Sequence, residues 1–167
     1  MARTKTTDRS ALDIYLDALR DHLSIESKAI ETALSELPVC EQYPGLCRRM
    51  EQDLAMGRSH AREITILLSR HGHPAPVPHE TVSSILSTVS GLLHGGEARD
   101  VLKNVLVASG YRAHQITSLQ MLIALARQLG FTQDASALEC LKDEEAASAE
   151  ALESLMPDIV SQYLAAN

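Results

Sequence analysis

Residues 16–37 read LDALRDHLSIESKAIETALSEL, and this stretch decides the fold. Together with the residues just before it, its apolar positions are Leu12, Tyr15, Leu16, Leu19, Leu23, Ala29, Ile30, Ala33 and Leu37. They return every three or four residues, which is the period of an amphipathic helix and not the alternation of a strand. Asp8 or Ser10 is placed to cap the start, and Pro38 ends the run because the residue before a proline is driven out of the helical region. One position on the stripe is charged. Glu26 continues the step Leu12, Leu19, Glu26, Ala33, so its carboxyl points inward about midway along the helix.

Working outward, residues 38–44 read as a loop, with Pro44 suited to the first turn of the next helix. That second helix runs to about Arg70 on Leu46, Met50, Leu54, Ala61, Ile64, Leu67 and Leu68. Residues 71–79, HGHPAPVPH, are a crossing loop, and a shorter helix is expected from Glu80 to Leu93, stopped by Gly95-Gly96. The third long helix runs from about Ala98 to Leu129 on Val101, Val105, Ala108, Ile116, Leu119, Leu122, Ile123 and Ala126, with Gly130 as its stop. Thr132 then caps a fourth, carrying Leu138, Leu141, Leu152 and Leu155, which Pro157 kinks or restarts before Asn167. Residues 1–7 form a polar tail and 8–167 a single domain. The fold class is therefore all-α, four long helices with one long crossover (71–97) that holds a short extra helix. One long crossover is the mark of the ferritin-like four-helix bundle.

Composition agrees. Hydrophobic residues make up 45% of the 167, but aromatics only 3%, and a Leu/Ala/Ile/Val/Met core suits helix-on-helix packing. The formal net charge of −7 and the scattered Lys and Arg argue against a nucleic-acid surface. No run approaches the roughly 20 apolar residues of a membrane span, and the polar Met1–Ser10 has no apolar segment behind it, so a cytoplasmic protein is expected. Cys40, Cys47 and Cys140 lack metal-ligand spacing and read as reduced thiols in or near the core. A Cys40–Cys47 bridge is the pairing their places around the first interhelical loop allow.

Polar residues on the inward stripes carry the functional signal. Besides Glu26 they are His60 in the second helix, near Asp53 and Gly57; Arg112 and Gln115 in the third; and Glu145, beside Glu144, in the fourth. His22 lies one turn before Glu26 on nearly the same face. A charge buried alone is costly, so inward polar residues on all four helices imply one shared layer. Either the layer holds metal, or Glu26, His60, Arg112 and Glu145 close an ion-pair network. A di-iron bundle needs a Glu from each of two helices and Glu-x-x-His from each of the other two. No Glu-x-x-His occurs here, and the second-helix slot reads Gly57-Arg58-Ser59-His60. Arg112 stands where the third helix should supply a carboxylate, and a guanidinium cannot ligate a cation. The metal candidates are therefore Glu26, His60, Glu144 and Glu145, with His22 and His114 as possible substitutes in a rearranged single-ion site. The histidines of the Pro-rich loop, His71, His73 and His79, read as solvated.

The chain resembles the YciE/YciF-type ferritin-like stress proteins of bacteria over about Leu12 to Met156. The features that carry the likeness are the first-helix stretch above, SHAREI at 59–64, HQITSLQMLIALARQLGF at 114–131 and ALECLKDEEAASAEALESL at 137–155. The resemblance implies a ferritin-like bundle with a di-metal site of which Glu26, His60, Glu144 and Glu145 remain, while Gly57, Arg112-Ala113-His114-Gln115 and Ala149 depart from the family's acidic pattern. The expected function is a non-catalytic, stress-associated protein whose core layer of Glu26, His60, Arg112 and Glu145 replaces a di-iron centre, with no cofactor. The alternative is a metal-binding protein or oxidoreductase holding iron, manganese or zinc through Glu26, His60, Glu144 or Glu145. Arg112 separates the two: pointing inward beside Glu26 and Glu145, it takes the cation's place. A homodimer is expected, with neither nucleic acid nor membrane as partner.

Overall fold

The computed structural model describes residues 9–73 and 101–166. In chain order the elements are α1 (Ala11–Glu36), a 3-10 helix (Leu37–Gln42), α2 (Pro44–Arg70), α3 (Val101–Gln128) and α4 (Thr132–Ala166), with no strand among the described residues. The short helix expected at Glu80–Leu93, the tail 1–7, the start of the third helix near Ala98 and His79 lie outside the described residues. α1 packs on α2 and α3, and α4 packs on α3 and α2, which closes a four-helix bundle.

The helix ends follow local chemistry. Ser10 caps α1: its Oγ accepts from the Asp13 N–H at 3.1 Å, and the Asp13 carboxylate accepts from the Ser10 N–H at 3.1 Å. Gly130, at φ +74°, supplies the left-handed residue that turns α3 into α4. Three expectations need correction. Residues 37–42 are a 3-10 helix and not a loop, since Pro38 fits the first turn of a new helical segment as well as it ends the old one. Thr132 is the first residue of α4 and not its cap. Pro157 does not restart a helix, since it lies inside a continuous α4. The carbonyl that Pro157 leaves without its helical donor belongs to exposed Glu153, where water can satisfy it.

The core has two parts. Tyr15, Leu16, Leu19, Ile64, Leu67, Leu68, Leu119, Leu122 and Leu138 fill one end of the bundle. Tyr43, Leu46, Val101, Val105, Leu152 and Ile159 fill the other. Each fully buried Leu or Ile contributes about 1.5–3 kcal/mol from apolar burial. Asp134 locks the first end. It accepts from the Tyr15 hydroxyl at 3.0 Å, faces His71 Nε2 at 2.7 Å and pairs with Arg70 at 3.2 Å. Burial and the adjacent carboxylate push the Tyr15 phenol far above its usual range. His71 packs on Phe131, with ring centroids 4.5 Å apart, and His73 contacts Arg20 at 3.0 Å. Both are thus tied into the fold, and the expectation of solvated loop histidines fails for them because their neighbours, Asp134 and Arg20, come from distant helices.

Two of the three cysteines also differ from the reduced state expected of them. Cys40 and Cys47 form a disulfide across the 3-10 turn, while Cys140 is free and exposed on α4. The turn brings their Cα atoms to 5.4 Å, within bridging range. Denatured but unreduced protein should therefore show one reactive thiol. Cys40→Ser should lower unfolding stability by about 2–3 kcal/mol, the entropy of so short a loop. Thiol titration that found three free groups would remove the bridge.

Candidate functional site

Between the two cores lies one polar layer to which all four helices contribute. α1 brings His22 and Glu26, α2 brings Arg49, Asp53 and His60, α3 brings Arg112 and Gln115, and α4 brings Glu144, Glu145 and Ser148. His22, Glu26 and His60 are completely buried, and Glu145 and Ser148 nearly so. Their periodic spacing on amphipathic helices places them here. Residues 15, 19, 22 and 26 share one face of α1, as 53, 57, 60 and 64 share one face of α2.

His60 is the hub. Its Nδ1 lies 3.2 Å from Glu145 Oε1 and 3.7 Å from Glu26 Oε1, and its Nε2 lies 2.9 Å from Glu144 Oε2. Glu26 Oε1 also faces His22 Nε2 at 3.3 Å, and His22 Nδ1 contacts the Ser118 hydroxyl at 3.0 Å. Arg112 points into the bundle. Its Nη1 donates to Glu145 Oε2 at 3.2 Å and to the Ser148 hydroxyl, and its Nη2 donates to Asp53 Oδ2 at 2.7 Å. Ser148 donates in turn to Asp53 Oδ1 at 2.5 Å, and Arg49 pairs with the same oxygen at 2.7 Å.

The electrostatics follow from this geometry. Burial alone would lower the His60 imidazolium, but the carboxylates of Glu145, Glu26 and Glu144 around it push it up to about 10. Burial would likewise raise Glu26, yet the facing imidazoles of His22 and His60 hold it down to about 2. With His60 protonated, three carboxylates, buried Glu26 and Glu145 and half-buried Asp53, meet three cations, Arg49, His60 and Arg112, while a fourth carboxylate, Glu144, stays largely in solvent. The layer is thereby balanced, which is the condition for burying charges at tolerable cost.

The expected residues thus converge for the most part. Glu26, His60 and Glu145 come together, with donor atoms within 4.8 Å of one another. His22 joins them through Glu26. Glu144 is largely exposed but reaches His60 from the other side of the ring, so the adjacent Glu144 and Glu145 address its two nitrogens. His114 does not join. It is exposed, because α3 turns positions 112, 115 and 119 inward and so carries 114 out to solvent. Arg112 pairs with Glu145 and not with Glu26, whose charge is met by the two histidines. Sequence reasoning did not give Asp53, Arg49 and Ser148 their roles. The signals were present: Asp53 lies on the inward stripe of His60, Arg49 is one turn from Asp53, and Ser148 is one turn from Glu145.

A model for a domain of unknown function, DUF892, matches residues 10–165. The chain belongs to the DUF892 family. Among solved structures, this DUF892 chain is similar to a protein from Xanthomonas campestris at TM-score 0.78 and 21% identity, covering 92% of this chain and 95% of the other. It is similar to the stress protein YciF of E. coli at TM-score 0.76 and 18% identity, over 92% and 98%. A third match, at TM-score 0.70 and 17% identity over 88% and 98%, is a structure described as ferritin-like, diiron-carboxylate proteins from Bacillus anthracis. The fold of this DUF892 member is thus ferritin-like, as its helix pattern and its resemblance to YciF-type proteins imply.

A two-metal centre does not fit the residues present. At Gly57, where Glu-x-x-His would place a carboxylate, an added Cβ would stand 3.5 Å from Glu26 Oε2, so the missing group would face the site. The Arg112 guanidinium holds the second oxygen of Glu145. What is left, the Glu26, His60 and Glu145 donors, could converge on one ion.

Two outcomes follow. The folded pKa of His60 lies above its ordinary 6.5, so its contribution to stability is full below pH 6.5 and is lost as pH rises through about 10. The folded pKa of Glu26 lies below its ordinary 4.5, so its contribution is full above pH 4.5 and is lost as pH falls through about 2. Melting temperature measured against pH should peak between pH 4.5 and 6.5 and fall on both sides; a flat profile into the alkaline range would contradict the His60 hub. Arg112→Ala should destabilise the bundle by about 3–5 kcal/mol, because it removes the one cation that Glu145 Oε2 and Asp53 Oδ2 share; unchanged denaturant unfolding would exclude the network.

Proposed function

We propose that this protein is a non-catalytic, stress-associated member of its ferritin-like family, acting by binding or assembly. Its core layer is a permanent ion-pair network in place of a di-iron centre. The observation that carries this reading is Arg112: its guanidinium sits inside the bundle on Glu145 and Asp53, with its charge met by theirs. A cation there would meet a fixed positive charge. It would also have to displace the His60 proton, since only neutral imidazole ligates metal. The stress link comes from the YciF likeness. The reading includes a cytoplasmic homodimer with neither nucleic acid nor membrane as partner. Among the described residues no helix is long and apolar enough to cross a membrane.

The second reading rests on the convergence of Glu26, His60 and Glu145. In it these three hold one iron, manganese or zinc ion, with Glu144 or His22 as a further donor.

Elemental analysis of untagged protein, incubated with ferrous iron and freed of loose ions, separates the two. The proposal expects far less than one iron, manganese or zinc ion per chain. One ion per chain would establish the Glu/His site and refute the metal-free reading. The double variant Arg112→Glu with Gly57→Glu should take up iron, because it restores two missing carboxylates. If it binds no more than the parent protein, the layer does not mark the family's metal position.

A further inference from the structure

Below the polar layer, α1 stops contributing to the core. Its buried residues end at Glu26, and neither core cluster contains a buried α1 residue beyond Leu19. Ala29, Ile30 and Ala33 keep the helical stripe but are only half-buried. They form one wall of a cleft with about 80 Å³ of free volume, whose other walls include Leu54 of α2 and Val105 and Ala108 of α3. The cleft extends from Glu26 to Glu36, about 15 Å along α1 at 1.5 Å per residue.

Its two ends carry carboxyl groups. Four line it in all, Glu26, Glu36, Asp53 and Glu145, against two guanidiniums, Arg49 and Arg112. Asp53 and Glu145 are bound to those guanidiniums. Glu26 and Glu36 are not. Glu26 is completely buried and turns Oε1 toward His22 and His60. Its Oε2 makes no hydrogen bond and faces the notch left by the missing side chain of Gly57. Glu36, at the other end, has neither an ion pair nor a hydrogen bond among the described residues. Burial alone pushes its carboxyl up to about 7, the mark of an acid that lacks a cation.

We propose that this cleft binds a long linear aliphatic diamine, one terminal ammonium on Glu26 Oε2 beside Gly57, the unbroken methylene chain along Ala29, Ile30 and Ala33, and the other terminal ammonium on Glu36. The chemistry is complementary along its length. Ammonium groups donate charge-assisted hydrogen bonds to the two acceptors that lack donors, and apolar walls receive the methylenes. The proposal rests on the metal-free reading of the layer, since an ion on Glu26 would take the carboxylate that the ammonium uses.

Calorimetric titration of the whole protein with 1,12-diaminododecane tests it, with putrescine, spermine and octanoate as comparisons. The twelve-carbon diamine, long enough to reach both carboxyls, should saturate one site per chain. Putrescine, too short to span them, spermine, as long but with two inner ammoniums set against the apolar wall, and octanoate, with the wrong charge, should bind at least about tenfold more weakly. Glu36 is half-buried in the last turn of α1, and the bundle does not use its charge, so Glu36→Gln should fold normally and bind the long diamine about tenfold more weakly through loss of one charged contact. Ala33→Leu should narrow the cleft and weaken the diamine similarly. Absence of saturable binding of the long diamine, affinity unchanged in either variant, or octanoate binding as tight as the diamine would overturn the proposal. Ion uptake by elemental analysis reports on the metal-free reading separately, because neither Glu36 nor Ala33 is among the converging donors Glu26, His60 and Glu145.

Discussion

A carboxylate removed completely from water has to be answered by positive charge, and Glu26 sets that requirement for the whole bundle. Everything at mid-height answers it in sequence. His22 and His60 face Glu26, His60 needs Glu145 and Glu144, Glu145 brings in Arg112, and Arg112 shares Asp53 with Arg49 and Ser148. The chain of contacts ends at Ser118 beside His22 and, at its other ends, at Glu144 and Arg49. Breaking any internal link takes a partner from two charges at once, so the layer behaves as a unit and fixes the register of all four helices against one another.

The two apolar ends depend on that register. Leu19 and Ile64 pack above the layer, and Leu46 and Val105 pack below it. A shift of one turn along α1 would move Glu26 about 5.4 Å away from both imidazoles and set a charge against leucines. The hydrophobic effect supplies most of the stabilisation but does not by itself choose among registers, because leucine stripes are interchangeable by translation. The polar layer makes the choice.

Most of this was legible in the amino-acid order. The helical periods of 12–37 and 46–68 locate α1 and α2, and the interruptions at Glu26, His60, Arg112 and Glu145 locate the layer. The pairing of charges was less accessible. Periodicity says which residues face inward but not how far a long side chain reaches, so Glu144, largely exposed, still touches His60, and Arg112 passes over Glu26 for Asp53. His114 shows the reverse error, a chemically apt residue on the wrong side of its helix. Pro157 and the 3-10 turn were misjudged because proline forbids one hydrogen bond and does not by itself forbid a helix. The disulfide is set by a turn geometry that spacing alone leaves open.

That disulfide has a topological consequence. Cys40 and Cys47 enclose Glu41 to Leu46, which include the joint between the 3-10 helix and α2. A protease that cuts a peptide bond inside this ring would sever the backbone without releasing a fragment, since the two pieces would remain one covalent molecule until the bridge was reduced. The joint where the chain reverses is therefore also a place where the bundle can lose main-chain continuity and keep its connectivity.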